Sequence, residues 1–178
     1  MKEGEVIKDI KQANISLILN SYEDIFSSFD PRDYSEKALS DDFLIECNHA
    51  ALEKDEGIEL ILSMPKMKRN FNDELKIKKR LKEHFKKHFA QKQKERKSIK
   101  KDGIVWIIIG TILLFTETFI RTYSPNFILN MISLIMEPAS WFSFWEGLAK
   151  IFIHAKNDIP DYDFYKKMAN VIVTFVGY

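Results

Sequence analysis

The feature that most constrains this chain is a pair of apolar stretches, Ile104 to Ile120 and Phe127 to about Phe152. The first reads IVWIIIGTILLFTETFI and contains one ionisable side chain, Glu117. At ~1.5 Å of helical rise per residue, such a run just crosses a ~30 Å hydrocarbon layer, which predicts a transmembrane helix. The connecting RTYSPN carries Ser124, Pro125 and Asn126, which end one helix and start another within a few residues. The second stretch must then run back along the first as a membrane hairpin. No motif in the chain spells out a reaction.

The 178 residues have an apolar fraction of 46%, enough for the hairpin plus one small soluble domain of roughly a hundred residues. The overall charge of +1 hides a strong asymmetry. Residues 1–65 carry 6 Lys+Arg against 15 Asp+Glu, residues 66–101 carry 16 against 4, and residues 102–178 carry 5 against 7. The basic block immediately precedes the first apolar stretch, and the loop between the stretches offers only Arg121. That bias predicts both termini on the cytoplasmic side of the plasma membrane. The lone Cys47 permits no intrachain disulfide and suits a reducing compartment. The opening MKEGEVIKDIKQA is too polar for a signal peptide, so the hairpin itself should direct insertion.

Taken in order, residues 1–12 place Val6, Ile7 and Ile10 at spacings that fit a short amphipathic helix on the domain or on lipid headgroups. Asn14 to Asn20, NISLILN, reads as a buried strand, followed by a polar link of about twenty residues with Pro31. Ser40 then offers an N-cap, Asp41 and Asp42 suit a first turn, and Phe43, Leu44, Cys47 and Ala51 recur at helical spacing up to Gly57. Ile58 to Met64 reads as a second strand closed by Pro65. The strand, helix, strand order predicts a right-handed crossover with parallel strands.

Asn72 can cap a long helix in which Ile77, Leu81, Phe85 and Phe89 repeat every four residues. The stripe fades from Gln91 to Lys101, but no proline stands between Asn72 and Tyr123. Helix and span can therefore be one rod that carries movement of the domain to the bilayer, with Gly103 the expected bend. Beyond the loop, Pro138 lies near Trp141 and Trp145, which match Trp106 as interfacial residues. The second span is then Phe127 to Trp145, with an amphipathic continuation from Glu146 to Ile153. Ile159 and Pro160 should break the chain, Asp161 should cap a short helix to Ala169, and VIVTFVGY should close as a strand.

These elements predict an α+β membrane protein: a small three-stranded cytosolic α/β domain built from both chain ends, with a two-helix transmembrane hairpin inserted. The expected boundaries are 1–101 for the domain with its basic juxtamembrane helix, 102–153 for the hairpin and interfacial helix, and 154–178 for the closing helix and strand.

With parallel strands, the links 20–40 and 64–72 emerge at one sheet edge, the usual place for ligands in open α/β sheets. Asp30, Arg32, Asp33, Tyr34 and Ser35 from the first link, and Lys66, Lys68 and Arg69 from the second, are the candidates there for holding a small anionic ligand at a helix start. The competing reading is a salt-bridged loop packed over the edge, with the basic residues solvated. His84 and His88 share a helical face, but no further ligand stands at a recognised spacing, so they read as neighbours of the packed stripe. Cys47 and His49 are similarly ordinary, and neither a metal nor a cofactor is expected. The basic block lies next to the membrane, so acidic lipid headgroups are favoured over nucleic acid as its partner.

Glu117 and Glu137 are the sharper anomaly, because an ionisable group within a span is costly. By rise they lie ~7 Å and ~15 Å from the outer end. Glu117 is therefore expected to reach the interface and Glu137 to be buried in a protein contact. Glu137, Asn130 and the carbonyl freed by Pro138 would lack partners in an isolated hairpin, which predicts a homo-oligomer or another membrane protein as partner. Gly110, Thr111, Thr116 and Thr118 are small enough for close helix approach.

The runs DIFSSFDPRDYSEKALSDDFL, KKRLKEHFKKHF, EPASWFSFWEGL and DFYKKMANVIVTFVGY together resemble a family of small two-span membrane proteins of bacteria and archaea. The resemblance implies a single integrated unit and brings no assigned activity, ligand or catalytic residue. Function therefore reads as a membrane-anchored sensor, effector or assembly subunit with no assigned catalytic residue. The alternative is a small membrane-bound enzyme acting on an anionic substrate, with Asp30 or Asp33 as acid or base and Arg32 holding the anion.

Overall fold

The computed structural model describes residues 14–52, 59–157 and 159–178. The expected amphipathic segment at residues 1–12 and the helix stop at Gly57 lie outside them. The chain is mixed α+β and divides into two compact units, residues 1–90 with 161–178, and residues 91–160.

In the first unit, strands β1 (Asn14–Ile18), β2 (Glu59–Met64) and β3 (Ile172–Gly177) form one sheet in the order β1-β2-β3. Both pairings are parallel, with Leu17 beside Leu62 and Leu62 beside Phe175. The last strand thus joins the sheet begun at residue 14, as its apolar sequence demands. Side chains alternate between faces along a strand. Ile15, Leu60, Leu62, Met64 and Phe175 point into the core, where they meet helix α1 (Asp41–Leu52), the start of helix α2 (Phe71–Tyr123) and helix α4 (Ile159–Met168). Ile77, Leu81 and Phe85 of α2 are wholly buried, as their four-residue spacing predicts.

Four local readings need correction. The apolar run at β1 suggests burial on both faces, but β1 is an edge strand, and Ile18 is exposed because the described helices cover one face of the sheet. Asn70 rather than Asn72 caps α2, its Oδ1 accepting from the Asn72 amide at 3.0 Å. The last helix begins at Ile159 rather than after Asp161, so Pro160 lies in the first turn of α4, where the missing N–H is free in any helix, and Asp161 follows it there instead of capping. The polar link 21–40 is folded: a 3-10 turn at Tyr22–Ile25 and an antiparallel bridge between Phe26 and Leu39 bury four apolar side chains, Tyr22, Ile25, Phe26 and Leu39.

In the second unit, α2 continues without interruption through Gly103 and meets the returning helix α3 (Phe127–Ala149). Asn126 caps α3, its side chain accepting from the Ile128 amide at 2.9 Å. The buried seam uses a seven-residue spacing, Gly103, Gly110 and Glu117 on α2 against Ser133, Ser140 and Gly147 on α3. A seven-residue repeat keeps one stripe of each helix facing the other. A Cβ on Gly110 would lie 2.7 Å from the Phe144 amide nitrogen, and one on Gly103 would lie 2.9 Å from the Gly147 carbonyl. Gly103 thus serves close approach rather than a break in the helix. After Ala149 the expected continuation widens into a π turn, Lys150–His154, which sets Ile151 against Gly103.

Since Phe175 is 5% exposed and joins β3 to the core, Phe175→Ala should cost about 3 kcal/mol. Chemical unfolding of the full chain checks this, and an unchanged midpoint would mean that β3 is not needed to complete the sheet.

Candidate functional site

The link 21–40 and residues 65–70 meet at the carboxyl edge of the sheet, and a buried network joins them. Tyr22 comes from the 3-10 turn and Glu74 from the first turn of α2. The Tyr22 hydroxyl accepts from the Asn70 amide at 2.7 Å and donates to Glu74 Oε1 at 3.2 Å. Arg69 donates to both oxygens of Glu74, at 2.7 and 3.1 Å. This planar two-point contact is one that lysine does not make. Glu74 is 3% exposed, and Arg69 holds its carboxyl below the usual range against the opposing effect of burial. Burial pushes the Tyr22 hydroxyl up.

A second cluster stiffens the link. Asp30 takes the Arg32 guanidinium at 2.9 and 2.7 Å and also the Ala38 amide at 2.7 Å, which holds its carboxyl far below the usual range. Asp33 accepts from the Ser35 hydroxyl at 2.8 Å and from Lys76 at 3.1 Å. Lys37 is buried, pairs with Glu23, and lies near the rings of Phe26 and Tyr34, which stack 5.3 Å apart. Tyr34 donates to Glu23 at 2.9 Å, and burial pushes its hydroxyl up to about 12.

The eight residues expected to hold a ligand are thus distributed over internal contacts. Asp30 and Arg32 are paired, as are Asp33 and Ser35, while Tyr34 turns to Glu23. Lys68 donates to the Asn20 carbonyl at 3.0 Å, Arg69 binds Glu74, and the Lys66 side chain packs where a Cβ on Gly177 would stand. An anion would compete with these bonds. Beside them lies a cavity of about 590 Å³ lined by Glu23, Asp24, Asp41 and Asp42 with Phe26 and Leu39, of acidic rather than basic character. Sequence reasoning missed Tyr22, Lys37 and Glu74; the signal for Glu74 was an acid in a first helical turn beside an arginine.

In the second unit Glu117 does not reach outward as expected. Glu117 is the buried one, at 6% exposure, because it falls on the seam with Gly103 and Gly110. The Glu137 side chain is 46% exposed. Arg121 reaches both, at 3.4 Å from Glu117 and 3.6 Å from Glu137. Asn130 donates to the Ser124 carbonyl at 3.3 Å. Thr111, Thr116 and Thr118 each donate to the carbonyl four residues earlier in their own helix, Gly110 is occupied by α3, and Thr116 and Thr118 remain exposed on the outer surface of α2.

Among the described residues, no group of three or more His, Cys, Asp or Glu side chains is placed to hold a metal ion. His84 and His88 have ring centroids 4.3 Å apart, with His88 stacked on Tyr165 of α4. Burial, aided by His88, Arg80 and Lys87, pushes the His84 pKa down to about 4. No family model matches the chain, nor does any curated protein or solved structure.

His84 is neutral in the fold, whereas an unfolded chain takes up the proton near pH 6.5, so its contribution to stability is lost as the pH falls from about 6.5 towards 4. His84→Leu should flatten the decline in melting temperature between pH 6.5 and 5. Curves that stay parallel to the wild type would contradict this assignment.

Proposed function

We propose that this chain is an integral membrane protein whose α2–α3 hairpin anchors a cytosolic α/β unit, and that the unit binds a partner as a sensor, effector or assembly subunit. The observation that carries the reading is the exposure of the two long helices. Each contains an 18-residue window of mean hydropathy 2.1 or 1.3, and only 17% of either window is buried. A core helix of a soluble protein would be mostly covered. Here Ile112, Phe115, Phe119, Ile128, Ile135 and Phe142 face outward, an arrangement stable in lipid and costly in water.

Three further features support the arrangement. Sixteen basic residues lie between Lys66 and Lys101 against Arg121 alone in the turn, which favours a cytoplasmic soluble unit. Those within reach of acidic headgroups would each add about 1 kcal/mol of attraction. Trp106 packs edge-on to Phe142 at the end of the hairpin that also holds Trp141 and Trp145, a placement suited to the interface. For the soluble unit, a binding role fits better than a catalytic one, since the acids and bases of the link 21–40 are consumed in holding its shape.

Self-association belongs to the same proposal, on narrower grounds than the sequence suggested. Glu137 is half-exposed on an apolar surface, with Arg121 3.6 Å away and shared with Glu117. One guanidinium against two carboxylates leaves the hairpin short of a donor, which a neighbouring chain could supply.

The chain should remain in membranes washed with alkaline carbonate, and mass measurement after gentle extraction should give an oligomer that Glu137→Leu dissociates. Release into the wash would defeat the anchoring. A monomer in both forms would defeat self-association alone.

A further inference from the structure

At the turn end of the hairpin, polar groups are gathered but not satisfied. Arg121 stands 3.4 Å from Glu117 and 3.6 Å from Glu137. A guanidinium donating to a carboxylate normally comes to about 2.7–2.9 Å, as Arg69 does on Glu74 at 2.7 Å. Glu117 Oε1 and Asn130 Oδ1 are both buried, and neither accepts a hydrogen bond from any described residue. Each such orphan costs free energy until a donor reaches it.

The register of the two helices gathers these groups at one place. Gly103 packs against the Gly147 carbonyl and Gly110 against the Ser140 carbonyl. One further seven-residue step sets Glu117 opposite Ser133. Ser133, Arg121 and Asn130, with Met131 and Leu134, line a cavity of about 270 Å³. By rise, Asn130 lies ~6 Å and Leu134 ~12 Å below the Asn126 cap. A headgroup layer is ~6 Å deep on each side of the hydrocarbon. The cavity then falls where the headgroup of a lipid meets its acyl chains.

We propose that this cavity holds the headgroup of a phospholipid bearing a primary ammonium. The ammonium donates to Glu117 Oε1 and Asn130 Oδ1, the phosphate accepts from Arg121, and an acyl chain lies along Met131 and Leu134. The site rests on the reading that the hairpin crosses a bilayer.

The chemistry of the orphans selects this headgroup. Both are acceptors, so the occupant must donate. A primary ammonium carries three N–H donors, whereas a quaternary ammonium carries none. A calcium ion would ask for six to eight oxygens, more than these side chains supply. A purely anionic headgroup would meet two carboxylates for one guanidinium. A zwitterion avoids that conflict, because its two charges alternate with those of the protein. The Arg121 side chain is 55% exposed, and its long contacts leave its fork of donors open to a phosphate.

The test uses the full chain, reconstituted in vesicles of equal parts phosphatidylethanolamine and phosphatidylcholine with identical acyl chains, then gently extracted for mass measurement of the retained lipid. The ethanolamine lipid should exceed the choline lipid roughly tenfold or more. Glu117→Gln and Asn130→Leu should each bring that ratio close to one. Glu146→Gln, which touches the ion pair with Lys150 at the other end of the hairpin, should leave it unchanged. Excess free phosphoethanolamine should not displace the lipid, since it lacks the acyl chain. Equal retention of the two lipids by the wild type, an unchanged ratio in both Glu117→Gln and Asn130→Leu, or displacement by the free headgroup would overturn the site and leave the anchoring intact. Release of the wild-type chain from the vesicles would defeat the anchoring, and the site with it.

Discussion

The pairing of β2 with a strand from each side of it in sequence is the constraint from which the rest follows. β2 receives β1 on one edge and β3 on the other, and the whole of residues 91–160 lies between β2 and β3 in the chain. Any segment inserted between two strands of one sheet must leave and come back. Two apolar helices joined by a three-residue turn do this with the shortest connection, and both ends of the hairpin then face the same way.

Within the hairpin the same economy governs close contact. Glycines at 103, 110 and 147 and serines at 133 and 140 let the backbones approach, and Ser140 and Ser143 return their hydroxyls to carbonyls of their own helix at 2.7 and 2.8 Å. Little polar surface is left over except at the turn end, where Arg121 stands between two carboxylates. In the first unit, Arg69 and Glu74 make the corresponding arrangement with full hydrogen bonding, so that the link 21–40 is tied to the start of α2 through Tyr22. Removing one partner of such a pair strands a buried charge, which costs more than the pair contributes.

Much of this was legible in the sequence wherever a single element decides its own fate. Ile77, Leu81 and Phe85 announce their helix face by spacing, and the last strand announces its need for a sheet by being apolar. The failures arose where the deciding partner is distant. Glu117 and Glu137 were ranked by depth along the helix, but burial depends on phase around it, and that phase is visible only once Gly103 and Gly110 are aligned with Ser140 and Gly147. Tyr22, Ile25, Phe26 and Leu39 stand scattered among Ser and Asp residues, so the link looked like open loop until the Phe26–Leu39 bridge brought them together. Asn70 and Asn72 both precede an acidic first turn, and the choice between them depends on where the turn after Pro65 ends. The links that carry the eight candidate ligand residues do meet at one sheet edge, but the mutual pairing of those residues could not be read from composition.

The account rests most heavily on the hairpin crossing a bilayer with its turn on the far side from the soluble unit. Labelling intact cells with a membrane-impermeant thiol reagent, in a Cys47→Ala background carrying Ser124→Cys, tests this directly. The account predicts modification at position 124 before the cells are opened, and protection of a Phe29→Cys control in the exposed link until they are. Modification of position 124 only after opening, or of both positions before it, would contradict the account.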